Sequence, residues 1–230
     1  MSIAPFVKIK KLDHIVYKNT IYQIKDSRSN IYYKMLINKT LSRGIMETVY
    51  SKQFRFPNTA TLWRNIYTQK TIIPKLPKLC EFNYKVLHNL IPCAKQLCKW
   101  KKIESDRCTM CGKMEDTKHM LFNCHRVRNI WQNVSDILNV NISWKQIVCG
   151  FPCYELKSKV NVLNYLFTII SYAIFKQTAM CRNENLNYGH CNLVIKIRAE
   201  LKWYVKILNI LNECHNKLFI TYCEKLYNLC

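Results

Sequence analysis

Hydrophobic positions along this chain recur mostly every three or four residues, the spacing of a helix with one apolar face, and rarely alternate as a half-buried strand would require. The pattern predicts helices over residues 30–37, 46–54 and 59–69, the last opened by Asn58 or Thr59, together forming an N-terminal bundle. The segment TIIPKLPKL at 71–79 interrupts this rhythm with two prolines and predicts a linker between subdomains. From residue 79, Phe82, Val86, Leu87 and Leu90 line one helical face that ends before Pro92, and a shorter helix covers 93–100. Val127, Ile130, Trp131, Val134, Ile137 and Leu138 form another stripe. Two longer patterns, at 158–182 and at 190–212, predict a helical hairpin turning around 183–189, with Leu193, Val194, Ile197, Leu201, Tyr204, Val205, Leu208 and Leu211 on one face of its second arm.

The most apolar run, 160–175, is broken by Asn161 and Asn164 and falls short of the roughly 20 residues a membrane-spanning helix needs. It reads as a buried helix, and no transmembrane anchor is expected. Four glycines and six prolines leave little punctuation. The expected fold class is mainly α, with helical subdomains around a zinc knuckle. Three regions are expected: a basic N-terminal helical region at 1–77, a zinc-knuckle module with flanking helices at 78–150, and a C-terminal helical hairpin region at 151–230.

The knuckle is read from CTMCGKMEDTKHMLFNC. Cys108, Cys111, His119 and Cys124 form a Cys-x2-Cys-x7-His-x4-Cys array, three thiolates and one imidazole for a single Zn2+. Four protein ligands complete a tetrahedron and leave no open position, so such a site builds structure and does no catalysis. Gly112 supplies the positive φ that the turn after the second sulfur favours. A short helix over 116–122, capped by Asp116 or Thr117, returns the last ligands to the metal. In a chain with 13 Cys and 6 His, chance clustering is the competing explanation, and His125 beside Cys124 is a rival ligand. The other groupings, Cys93 with Cys98, Cys149 with Cys153, and Cys214 with His215, lack a second half and read as core or surface thiols.

Charge narrows the partners. The formal net charge is +22, and residues 1–107 carry 21 Lys plus Arg against 6 Asp plus Glu. Such a field favours polyanions, chiefly nucleic acid and less so an anionic membrane surface. Lys outnumbers Arg 27 to 9 while Asn, Ile and Tyr abound, so an AT-rich coding sequence is a competing source of part of this charge. An odd number of cysteines, and an N-terminus whose charges interrupt any apolar core of a signal peptide, point to a reducing intracellular compartment, nucleus or cytoplasm.

Around the array the sequence FNYKVLHNLIPCAKQLCKWKKIESDRCTMCGKMEDTKHMLFNCHRVRNIW resembles the zinc-binding region that follows the reverse transcriptase domain in LINE-type non-LTR retrotransposons. Tyr84, Lys85, Leu87, His88, Pro92, Leu97, Trp100, Cys108, Cys111, Thr117, His119, Phe122, Cys124 and Trp131 occupy that family's motif positions in order. WRNIY at 63–67, WKQIVCGF at 144–151 and LNYLFTIISYAIFK extend the likeness over 30–182. Met120 stands where the family has a leucine-like residue, a volume-conserving change. His125 stands where proline is common.

The resemblance implies a non-catalytic module that helps a polymerase hold RNA or DNA. The Tyr/Phe-x-Asp-Asp metal-binding pair of reverse transcriptases is missing, since the chain contains no Asp-Asp dipeptide, and no His-x-Glu precedes the array as zinc deaminases require. The chain then corresponds to a detached C-terminal segment, and no enzymatic activity is expected. Lys95, Lys99, Lys101, Lys102, Arg107, Lys113, Lys118, Arg126 and Arg128 lie near the array and are the expected phosphate contacts. Trp100 and Trp131 read as core or zinc-platform residues, with base stacking as the alternative. The competing functions are a protein-interaction module docking on a reverse transcriptase core, and a retroelement fragment without function. Oligomeric state is left open by the sequence.

Overall fold

The computed structural model describes residues 14–17, 20–23, 45–57, 59–71, 76–151, 157–184, 190–210 and 216–227. The helix expected at 30–37, residues 72–75 of the proline-bearing segment, the turn at 185–189, and Cys153, Cys214 and His215 lie outside them. The chain divides into two compact units, 1–50 and 51–230. In the first, strands β1 (His14–Tyr17) and β2 (Thr20–Gln23) pair antiparallel with His14 opposite Gln23 and Tyr17 opposite Thr20. This hairpin is an exception to a mainly helical chain and was not expected. The division falls within helix α1 (Ile45–Phe54).

The second unit is helical among its described residues, apart from one isolated bridge. Helices α2 (Ala60–Thr71) and α3 (Pro77–Leu87) pack on each other from either side of the proline-bearing segment. Pro77 is the first helical residue of α3, where its missing N–H costs nothing and its fixed φ suits the turn, so α3 starts two residues earlier than the apolar spacing suggested. Trp63 is buried in α2, its indole Nε1 donating to Ser51 Oγ at 3.2 Å. After α3 come the short α4 (Ala94–Lys99), a wide π-helical turn at His119–Asn123, α5 (His125–Leu138) and α6 (Trp144–Cys149). Asn139 closes α5 in the left-handed region, φ +50°, a conformation that asparagine tolerates better than most residues.

Helix α7 (Lys157–Asn183) is the spine of this unit. It packs against α2, α3, α6, the π-helical turn, α8 (His190–Ile210) and α9 (Asn216–Tyr227). Every residue from Val162 to Ser171 is buried, which explains why its apolar residues surround the helix instead of forming a stripe. No described helix is long and apolar enough to cross a membrane. The polar residues inside are bonded: Thr168 Oγ1 donates to Asn164 O (2.8 Å), and Asn83 Nδ2 donates to Lys70 O (2.7 Å) and to Thr168 Oγ1 (3.0 Å). Lys70 is itself fully buried, donating from Nζ to Ile147 O at 2.7 Å, and burial pulls its ammonium down to about 8.

At the end of α6, Gly150 has φ +79° and ψ −178°, a region almost closed to other residues. A Cβ there would stand 2.8 Å from Asn164 Oδ1, the acceptor for the Phe151 N–H. Gly150→Ala is therefore expected to cost about 3 kcal/mol, from backbone strain together with displacement of a buried amide. Urea unfolding midpoints check this, and a loss below about 1 kcal/mol contradicts the assigned backbone.

Candidate metal centre

The centre begins with the backbone around the first two cysteines. Arg107 and Met114 form an antiparallel bridge, the Cys108 N–H donates to Lys113 O (2.7 Å), and the Gly112 N–H returns to Cys108 O (2.8 Å). Gly112 takes φ +71° in open space, so its conformational freedom, not crowding, is what the knuckle uses. Arg107 Nη1 donates to Gly112 O at 3.2 Å and braces the turn.

The other two ligands come from the wide turn. Asp116 Oδ1 accepts the His119 N–H at 2.6 Å, capping the turn as expected. The Cys124 N–H then reaches back five residues to His119 O at 2.9 Å. One extra residue per turn sets His119 and Cys124 on the same side, the kind of local widening often found where a helix serves a site. Trp131 locks this turn: its Nε1 donates to Leu121 O (2.8 Å) and its ring meets Phe167 of α7 edge-on at 5.4 Å.

These segments bring together one ligand atom each from Cys108, Cys111, His119 and Cys124, all within 4.8 Å of one another. His119 turns Nε2 toward Cys111 Sγ, 3.2 Å away. A tetrahedral zinc ion about 2.3 Å from each sulfur sets sulfur–sulfur spacings of roughly 3.8 Å, so small side-chain rotations close the four donors around the ion. The hydrogen bond from Cys108 lowers the Cys124 thiol below its ordinary value and raises that of Cys108, and burial lowers His119, favouring the neutral imidazole a metal requires. Cys108, His119 and Cys124 are buried, Cys111 partly so. His125, the rival ligand, is exposed at the start of α5 and lies outside the group. Among the described residues no second such group forms, and Cys93 and Cys149 are buried core thiols.

A buried carboxylate fastens the centre to the rest of the fold. Glu115, fully buried, accepts the Ala94 N–H at 2.8 Å through Oε1, supplying the N-terminus of α4 with an acceptor. The same oxygen pairs with Arg182 Nη2 from the far end of α7, and Arg182 Nη1 donates to Pro92 O at 3.3 Å. Neither Glu115 nor Arg182 carried any signal in the sequence, because their partnership spans 67 residues and follows no spacing rule.

Residues 30–131 match the family described as zinc-binding in reverse transcriptase. The match ends at Trp131, the residue that clamps the π-helical turn. The matched stretch includes all four donors, while α7 and Arg182 lie beyond it. No curated protein and no solved structure matches the chain.

Of the expected phosphate contacts, Lys95, Lys99, Lys101, Lys102, Arg107, Lys113 and Arg128 are exposed, and Lys118 and Arg126 are half-buried, with Arg126 Nη1 4.0 Å from the Met110 sulfur. Three strips carrying some of them lie side by side: the Lys95 N–H donates to Glu115 O (3.0 Å), and the Glu115 N–H donates to Asp106 O (2.9 Å). Trp131 is in the core as expected. Trp100 is not: it is 48% exposed at the end of α4, between Lys99 and Lys101, because six residues of helix give its ring no facing element to pack against.

Proposed function

We propose that the chain is a non-catalytic, zinc-stabilised module that binds single-stranded RNA or DNA. Zn2+ held by Cys108, Cys111, His119 and Cys124 fixes the strips on which the cations stand, and its chemistry there is structural. The observation that carries the reading is Trp100, a large aromatic ring left exposed and flanked in sequence by Lys99, Lys101 and Lys102. An open ring offers a stacking platform of about 1–3 kcal/mol per base, and neighbouring ammonium groups hold the backbone without reading sequence. A zinc-binding region of a reverse transcriptase works beside nucleic acid, which agrees with this reading.

Tyr84, Leu90 and Met114 are also exposed, and they favour a second reading in which the module docks on a reverse transcriptase core. Titrating labelled oligonucleotides at several salt concentrations separates the two. Lys99, Lys101 and Lys102 replaced together by Gln should flatten the plot of log K against log salt by about 2, from roughly 0.7 per phosphate contact. Trp100→Ala should weaken binding about tenfold or more with the slope preserved. Absence of binding, or binding indifferent to salt, overturns the nucleic-acid reading and leaves docking.

A further inference from the structure

Beside the π-helical turn, a cleft of about 390 Å³ opens between α5 and the segment 139–142 that follows it. Its volume lies at the small end of small-molecule sites. Phe122 and Ile142 give it apolar walls, and Arg128, Gln132, Asp136 and Asn141 give it a polar rim. Gln132 Nε2 donates to Asp136 Oδ1 at 3.0 Å, which orients the carboxylate and leaves Oδ2 and a second lone pair of Oδ1 to accept. The Asn141 carboxamide makes no hydrogen bond, and Arg128 no ion pair, among the described residues.

A carboxylate in such a cleft disfavours a bare phosphate. It favours a flat group with paired N–H donors, and an aromatic wall favours a planar ring. Guanine presents N1–H and N2–H side by side on its Watson–Crick edge, matching one carboxylate, with acceptors O6 and N7 left for an amide donor. Uracil offers one N–H between two carbonyls. We propose that this cleft receives a single unpaired guanine base of a bound strand, with Asp136 accepting from N1–H and N2–H, Asn141 donating to the acceptor edge and Arg128 holding the adjoining phosphate. Splayed single-stranded bases are the usual targets of sequence-specific RNA recognition. The inference rests on the nucleic-acid reading above and adds a base preference to it.

The test uses the full zinc-loaded chain and fluorescein-labelled RNA nonamers: all uridine, or uridine with one central guanosine, adenosine or cytidine. The guanosine strand should bind at least about tenfold tighter than all-uridine by anisotropy, the adenosine and cytidine strands falling between. Asp136→Asn should abolish that preference while all-uridine affinity stays level or rises. Arg128→Ala should weaken all four strands. Equal affinity for the guanosine and all-uridine strands, or a preference surviving in Asp136→Asn, overturns the guanine site while leaving general binding intact. Failure of every strand to bind overturns both readings. Circular dichroism of each variant excludes unfolding as the cause.

Discussion

Stripping the metal with a chelator, or replacing Cys108 by Ser, is expected to unfold residues 94–124 and destabilise the second unit by several kcal/mol. Structural zinc sites contribute on the order of 10–16 kcal/mol in small metal-built folds, where the apo peptide is unfolded. Here the loss is smaller, because α7 and its neighbours bury their own core. What the metal alone secures is local: the knuckle has one β bridge and a few turn bonds, and its buried residues include the donors Cys108 and Cys124 themselves. Without the ion, three sulfurs and an imidazole are left crowded within 4.8 Å of one another. Metal loss should also follow acidification, since thiolates and imidazole bind zinc only when deprotonated. Amide exchange reads the effect: protection from 94 to 124 should collapse on chelation while α7 stays protected. Unchanged protection throughout would show that the segment holds itself together without metal.

The second large effect lies outside the matched segment. Arg182→Leu should cost about 3–5 kcal/mol, because it leaves the Glu115 carboxylate buried without its cation. The side chain of Glu115 is wholly inaccessible and that of Arg182 is only 10% exposed, so water cannot replace the lost partner. Glu115→Gln should cost less, since a neutral amide can still accept the Ala94 N–H. Combining it with Arg182→Leu should recover part of the single-variant loss, and a double-mutant cycle measures the coupling. The consequence reaches the metal as well: Glu115 lies between the donors Cys111 and His119, so Arg182→Leu should weaken zinc retention although residue 182 is far from the ligands in sequence. Strictly additive losses with normal zinc retention would show that the pair is not coupled to the site.

The parts legible in the sequence were those written in short spacings. The four donors lie within 17 residues of chain and the apolar faces of α3, α5 and α8 repeat at helical intervals, so each could be read locally. The likeness carried by Tyr84, Trp100, Thr117 and Trp131 then pointed to the matching zinc-binding family. The misses have physical causes. The hairpin at 14–23 carries β-branched and aromatic residues around a two-residue gap, Lys18 and Asn19, a signal outweighed by the lysines of the stretch it sits in. Helix α9 does show a stripe, Phe219, Tyr222, Cys223 and Leu226, all buried, and the spacing was there to be read. By contrast, the widening of the turn at His119, the exposure of Trp100 and the pairing of Glu115 with Arg182 depend on what the fold places beside each residue. No local pattern encodes them.

The central claim is that one zinc ion, held by three sulfurs and one nitrogen, builds this module. X-ray absorption at the zinc edge tests it most directly on the purified full chain, together with the metal content. The expected result is about one zinc per chain, with three sulfur neighbours near ~2.3 Å and one nitrogen at about 2.0–2.1 Å. His119→Ala should replace the nitrogen or empty the site. A chain without stoichiometric zinc, or a zinc whose neighbours are mainly oxygen, contradicts the account.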